Sequence, residues 1–325
     1  MAVTADSICA GIVSYNPSLD RILENVRAIA PQVSCTYVFD NGSANVDELR
    51  RALSAEEGVI TIEHAENMGV AFALNRICER ARLDGYTHVV TLDQDSVSTP
   101  GMVAELSVYA APEVGIVSPQ IVDRNKEEAD SWRGFLDHRV VDVREAARKG
   151  VITSGCLTNL EAFGFVGGFD ESFFIDYVDY DFNKRLLLEG YRIIRTGNTA
   201  LIHECGSFEP TWLWTPRKGQ DGKWRMERFY SFGHSAFRCY YKARNRILYS
   251  KKYGPSGHIE GFEGARQIPA QIILTLLFEK GRRGKLSRFI DGIRDGRRQT
   301  VEPYSVRRSG TTFYWAKVGE KGDRL

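Results

Sequence analysis

The stretch Thr87-His88-Val89-Val90-Thr91-Leu92-Asp93-Gln94-Asp95-Ser96 constrains this chain most. It reads as a buried β-strand, apolar at Val89, Val90 and Leu92, that ends abruptly in acid. Strand side chains alternate between faces, so an extended Asp93-Gln94-Asp95 projects both carboxylates to one side. A solvated turn is the plain alternative, since Asp, Gln and Ser all suit turns. Two carboxylates at a strand's carboxyl end also suit a hard divalent cation, Mg2+ or Mn2+, shared with phosphate oxygens. In an open α/β sheet that edge is where ligands bind.

Three further strands are expected at 8–15, 35–39 and 59–63. Between them Leu19, Ile22, Leu23 and Val26, and then Ala71, Leu74, Ile77, Cys78 and Ala81, recur at helical spacing. This alternation predicts a Rossmann-like, mostly parallel sheet of right-handed βαβ units flanked by helices. Further on, a helix is expected over 101–110 and a short strand over 114–118. The charged stretch 123–149 reads as a surface loop or hairpin. A helix over 179–189, stopped by Gly190, and short strands at 193–194 and 200–202 complete the first domain, 1–210. Aromatic and basic residues then dominate to Tyr253, followed by helical segments to about residue 298, so 211–325 is expected to be a mostly helical C-terminal region.

A chain of 325 residues, 43% of them hydrophobic, has room for one large α/β domain and an appendage. Its formal net charge of +1 argues against a general nucleic-acid-binding surface. The six cysteines are scattered without a CxxC pair, which suits reduced core thiols in a cytoplasmic protein. No apolar run approaches the roughly 20 residues needed to cross a bilayer, and a soluble or peripheral protein is expected. The apolar run 268–278 precedes Lys280, Arg282, Arg283, Lys285 and Arg288. It suits contact with an anionic membrane surface, and equally packing on the first domain or on a second subunit.

Several residues at the expected strand ends bear chemistry. Asp40, in Asp40-Asn41-Gly42-Ser43, is placed to accept the imide N–H of a uracil or thymine base, although the same four residues make a tight turn. Asn67-Met68-Gly69 opens a helix whose free N–H groups suit a diphosphate; capping is the simpler use. A second acidic group, Asp176-Tyr177-Val178-Asp179-Tyr180-Asp181, lies among aromatics before a helix. A partly buried carboxylate there suits a general base, while Asp179 and Asp181 would also serve the helix dipole. His203 follows an apolar strand. A lone histidine is commonly structural, and beside Asp93 and Asp95 it becomes a candidate third metal ligand.

The ordered set resembles the inverting family 2 of nucleotide-sugar glycosyltransferases with the A-type fold. It runs from Ile12-Val13-Ser14-Tyr15-Asn16 through Asp40-Asn41-Gly42-Ser43, Asn67-x-Gly69-Val70-Ala71 and Asp93-x-Asp95 to Gly167-Gly168-Phe169-Asp170-Glu171 and Asp176-Tyr177-Val178-Asp179. Phe174-Ile175-Asp176-Tyr177-Val178-Asp179 and Asn67-Met68-Gly69-Val70-Ala71-x-Ala73-Leu74-Asn75 are most similar to bacterial rhamnosyltransferases of surface-polysaccharide assembly. The resemblance spans about residues 8–250. It implies transfer of L-rhamnose from its dTDP ester to a saccharide acceptor, possibly lipid-linked. It further implies that Asp40 reads the base, that Asp93 and Asp95 serve ribose and metal, and that Asp179 is the base. Val13, Tyr15, Asn67, Gly69, Asn75, Gln94 and Arg244 complete the candidate nucleotide-sugar contacts. Many relatives carry Glu-Asp where this chain has Val178-Asp179, which leaves Asp176 to share or take the base role. A UDP-sugar donor on the same fold is one alternative, and a catalytically silent sugar-nucleotide or glycan-binding module is another. A Rossmann dehydrogenase is disfavoured, since no GxGxxG follows the first strand.

Overall fold

The computed structural model describes residues 4–125, 129–144, 150–204, 209–218, 224–231, 233–259 and 262–307. Cys205 and parts of the charged stretch, 126–128 and 145–149, lie outside the described residues. The chain forms two compact units, Met1–Glu204 with Ser305–Leu325, and Cys205–Tyr304.

The first unit opens as its hydrophobic periodicity dictates. β1 (Ile8–Ser14), α1 (Leu19–Ile29), β2 (Thr36–Asn41), α2 (Val46–Leu53), β3 (Val59–His64), α3 (Val70–Leu83) and β4 (His88–Asp93) alternate regularly. These strands pair in parallel in the order β3-β2-β1-β4. β1 is buried along its whole length, which is why its sequence is a continuous apolar run. On one face Ile8, Ala10 and Ile12 pack with Ile22, Val26 and Ile29 of α1. On the other, α3 lies so close that a side chain at Gly11 would meet Ile77 at 2.2 Å.

The second half of the sheet is mixed. β5 (Val97–Ser98), α4 (Met102–Ser107), β6 (Val114–Asp123), β7 (Val140–Asp142), β8 (Cys156–Asn159), α5 (Leu160–Val166), α6 (Val178–Leu188) and β9 (Arg192–His203) follow in the chain. β8 runs antiparallel between β4 and β6, and β9 pairs in parallel with β6 and antiparallel with β5 and β7. β6 does not stop at Ser118, where the short strand had been expected to end, but continues through Pro119 to Asp123. The register shifts between Ser118 and Gln120, so the residue lacking an N–H is bulged out of the ladder and the strand resumes. The two short strands expected at 193–194 and 200–202 are one strand of 12 residues, whose Arg195 and Thr196 pair with Val141 and Val140 of β7.

The second unit begins with a hairpin, β10 (Glu209–Lys218) and β11 (Trp224–Ser231), within the stretch that had been read only as aromatic and basic. α7 (Ala236–Tyr253), α8 (Ile268–Phe278) and α9 (Arg282–Arg298) follow, with Cys239, Ala243 and Phe289 forming the buried centre between α7 and α9. Among the described residues no helix is long and apolar enough to cross a membrane.

Candidate active site

Parallel pairing in register brings the strand ends together. Ser14 lies opposite Asp40, and Val13 opposite Asp93. Asp40 is buried; its Oδ2 accepts the Ser43 N–H at 3.0 Å, so the tight turn is real. Its Oδ1 is equally buried and has no hydrogen-bond donor among the described residues. Val13 is buried between its sheet neighbours and offers a ligand only its backbone. Gln94 does not turn outward. Its Oε1 accepts the Tyr15 N–H at 2.8 Å and ties the end of β4 to the end of β1, leaving the Tyr15 ring exposed.

His203, far from them in sequence, converges on Asp93 and Asp95: each of the three offers one ligand atom, and these atoms lie within 4.8 Å of one another. The sheet does this, because β9 delivers His203 beside Asp123 of β6, and β5, four residues beyond Asp93, pairs with β9 at Ile202. His203 Nδ1 lies 3.4 Å from Asp95 Oδ1 and 2.9 Å from Ser96 Oγ. Burial works against an imidazolium here, but the charges of Asp95, Asp93 and Asp123 outweigh it and raise the His203 pKa. Asp95 Oδ1 is buried, with the His203 imidazole as its neighbour. Two carboxylates and an imidazole are a donor set that fits Mg2+ or Mn2+.

Sequence reasoning missed the groups that hold these ligands. Ser96 Oγ also meets Ser154 Oγ at 2.7 Å, and Ser154 Oγ accepts the Asp93 N–H at 3.0 Å. Asn25 of α1 donates to the Asp93 carbonyl at 2.7 Å. Ser96 adjoins the acidic motif and was readable; Ser154 and Asn25 carry no local signal.

The second acidic group sits on strained backbone. Phe174 (φ 58, ψ −65), Asp176 (φ 61) and Tyr177 (φ 70) all have positive φ, a conformation that costs such residues of order 1–3 kcal/mol each. Ile175 N–H donates to the Phe173 carbonyl at 2.6 Å, making Phe174 the centre of a tight γ-turn of the rare hand. The turn is clamped from α3: Val70 N–H donates to the Phe174 carbonyl at 2.6 Å. A side chain at Gly69 (φ +92) would meet that same carbonyl oxygen at 2.6 Å. Asp179 thereby reaches the first turn of α6, half-buried, where the Tyr180 N–H donates to its Oδ1 at 2.9 Å. Its pKa is pushed up to about 7, chiefly by burial, with the charges of Asp176 and Asp93 adding to it. Asp181 is structural: fully buried, it takes two hydrogen bonds from Arg185, whose guanidinium also donates to the Val166 and Gly168 carbonyls.

Asn67, Asn75 and Arg244, named as candidate nucleotide contacts, each make contacts within their own unit. Asn67 Oδ1 accepts the Gly69 N–H at 3.0 Å, and the next N–H of the helix start goes to Phe174, so neither group is open to a diphosphate. Asn75 exchanges hydrogen bonds with the Phe169 backbone and donates to Glu171 at 2.8 Å; it braces the loop that leads to the γ-turn. Arg244 belongs to the second unit, its guanidinium 4.7 Å from the centre of the Tyr241 ring. The five described cysteines are buried, and burial pushes the Cys156 thiol up to about 12, so none is a poised nucleophile.

Residues 9–163 match the family described as glycosyl transferase family 2. The chain is 25% identical over 312 residues to the dTDP-rhamnosyl transferase RfbF of Shigella flexneri, an alignment covering 89% of this chain and 96% of that one. Among solved structures, GalNAc-T7 with UDP, GalNAc and Mn2+ superposes with a TM-score of 0.51 at 12% identity, over 77% of this chain and 49% of that one. The S. aureus TarS 1-349 structure gives 0.49 at 12% identity, over 61% and 60%. This chain thus spans about half the length of the GalNAc-T7 chain, and the likeness to these structures is one of fold. With its alternating first half, its acidic strand end and the match over residues 9–163, the chain carries a glycosyltransferase domain of the A-type fold that matches family 2, and it is similar over most of its length to a dTDP-rhamnosyl transferase.

Proposed function

We propose that the enzyme moves L-rhamnose from dTDP-β-L-rhamnose to a sugar hydroxyl of a growing surface polysaccharide, with inversion at the anomeric carbon. The observation that carries this reading is Asp179: a half-buried carboxylate with a pKa of about 7, held on a strained loop and coupled electrostatically to Asp93. A group with that pKa is matched to accept a hydroxyl proton at neutral pH. The kinship with a dTDP-rhamnosyl transferase supports the donor. The uncommitted Asp40 Oδ1 supports a pyrimidine imide as its partner.

In this mechanism Asp179 takes the proton of the acceptor hydroxyl as its oxygen attacks the anomeric carbon and the bond to the diphosphate breaks. Asp176, on the same loop, orients the acceptor. Asp93, Asp95 and His203 would hold Mg2+ or Mn2+, which supplies neutralising charge to the departing diphosphate. Asp40 holds the base, whose binding is the same in ground and transition states.

Turnover of dTDP-rhamnose and UDP-sugars by the purified protein, with Asp179→Asn and Asp176→Asn alongside, tests the proposal. Asp179→Asn should retain donor affinity and lower kcat by about 10²–10⁴-fold. Asp176→Asn should chiefly raise the acceptor KM. A dead Asp176→Asn with an active Asp179→Asn would transfer the base role to Asp176. Turnover of a UDP-sugar and none of dTDP-rhamnose would refute the donor.

A further inference from the structure

We propose that the second unit carries a docking surface for an anionic lipid bilayer, made by the outer face of the β10–β11 hairpin and the outward stripe of α8. It stands independently of the sugar nucleotide bound by the first unit.

The hairpin is inside out. In a solvated strand the large apolar side chains turn inward and the polar ones outward. In β10, Trp212 (70% exposed) and Trp214 (56%) face solvent, while the intervening Thr211 is buried. Thr211 spends its hydroxyl on the Phe229 carbonyl at 2.7 Å. In β11, Trp224 (69%) and Met226 (59%) are likewise exposed. Trp214 pairs with Arg228, and Pro216 with Met226, so aromatic, apolar and cationic residues share one face.

α8 repeats the pattern. Ile268 and Thr275 are buried and Ile272 packs on the α7–α9 centre, whereas Ile273 (56%), Leu276 and Leu277 (51%) form an exposed stripe at i, i+3, i+4 spacing. The Phe278 ring joins the two elements, 5.3 Å from the centre of Trp212 and 5.7 Å from that of Phe229. Arg282 then donates to the Leu277 and Glu279 carbonyls, capping the helix at the edge of the basic run.

Charge selects the occupant. Cys205–Tyr304 holds 20 Lys and Arg against nine Asp and Glu, net +11, whereas the remainder of the chain holds 23 against 33, net −10. The overall +1 conceals this partition. Tryptophan beside cations and an aliphatic stripe suits the headgroup boundary of an anionic leaflet. Two such units, each with a net charge of +11, would repel one another. Single-stranded nucleic acid would use the tryptophans and cations but leaves the Ile273-Leu276-Leu277 stripe without a partner.

The test is sedimentation of the full chain with vesicles of phosphatidylcholine alone or with about one-third phosphatidylglycerol, at low and high salt. Binding should require phosphatidylglycerol and weaken with salt, and brominated phosphatidylcholine included in the anionic vesicles should quench tryptophan fluorescence. A Trp214→Ser/Trp224→Ser variant and, separately, an Ile273→Ser/Leu277→Ser variant should each bind about ten-fold more weakly. Both should keep the melting temperature and the nucleotide affinity of the parent, which excludes a folding defect. The proposal is overturned by parental protein that stays in the supernatant at low salt, or by soluble, folded variants that bind as well as the parent. Stronger binding to an oligonucleotide than to vesicles, or a dimer in sedimentation velocity that the tryptophan variant dissolves, would likewise overturn it and give the surface to those partners.

Discussion

The enzyme carries two aspartate pairs built in opposite ways. Asp93 ends a regular strand and Asp95 sits in the turn that follows it, beside a histidine whose pKa their charges raise. Asp176 sits on a loop whose backbone is forced into positive φ, and Asp179 follows it in the first turn of α6, where burial holds its pKa near 7. The difference teaches what each proposed task demands. Carboxylates that hold a cation must stay ionised, and the end of a strand does that without strain. A base must be poised near the working pH, and here that poise coincides with burial and with backbone no local sequence preference would choose.

The comparison is broken most severely at the cation pair. Asp95→Asn should lower kcat/KM by at least about 10³-fold, or about 4 kcal/mol, and weaken nucleotide binding as well. A chelator should reproduce the loss in the parent; full activity in EDTA would remove the cation from the mechanism.

Gly69→Ala probes the strained pair without touching a carboxylate. It should lower kcat by about 10–100-fold, through displacement of the Phe174 turn, and leave donor affinity intact. Gly85 is the control, since it has the same φ (+90) with nothing within 4 Å of an added side chain. Gly85→Ala should cost similar stability and no activity. Equal activity loss in both variants would mean that the Phe174 contact does not position the base.

A gentler probe is pH. An Asp179 pKa raised from the usual range near 4 to about 7 favours the neutral carboxyl in the folded protein. That stability is fully present below pH 4 and is lost as pH rises through 7. Asp179→Asn, always neutral, should therefore match the parent near pH 4 and exceed it by about 2 kcal/mol at pH 8, measured by chemical denaturation. The parent's kcat/KM should rise with pH along a limb at or below 7, since a cation beside Asp93 lowers the Asp179 pKa. A stability difference that does not change with pH would show that Asp179 is not desolvated. The smallest effect is expected at Ser96→Ala, which should weaken cation binding by about ten-fold or less while His203 remains in place.

The first four strands were legible because each is a contiguous apolar run closed by a turn or an acid, and parallel pairing in register then aligns their ends. The hairpin was not, because its outward residues are tryptophans, and neither a period of 2 nor of 3.6 marks an inverted face as strand. The α5 start was readable in principle, since Asn159 Oδ1 accepts the Glu161 and Ala162 N–H groups, but no apolar stripe announced so short a helix. Asp93, Asp95 and Asp179 were singled out from the acidic motifs, and His203 from its place after an apolar strand; the structure brings His203 to Asp93 and Asp95. The contacts of Asn75 and Gly69 with the 169–174 loop were not legible because those partners lie about 100 residues downstream, and a glycine before a helix looks the same whether it faces a phosphate or a carbonyl oxygen.

The bond between Val70 N–H and the Phe174 carbonyl has a kinetic consequence. It closes a long loop, and the turn it clamps cannot form by local preference, so the seat of Asp179 is expected to assemble after the sheet and its helices. Turnover would then report completed folding rather than mere compactness. In refolding from denaturant, helical circular dichroism should recover ahead of activity, and Gly69→Ala should lengthen the lag between the two; recovery of both in a single phase would show that the turn is set in the same step as the sheet.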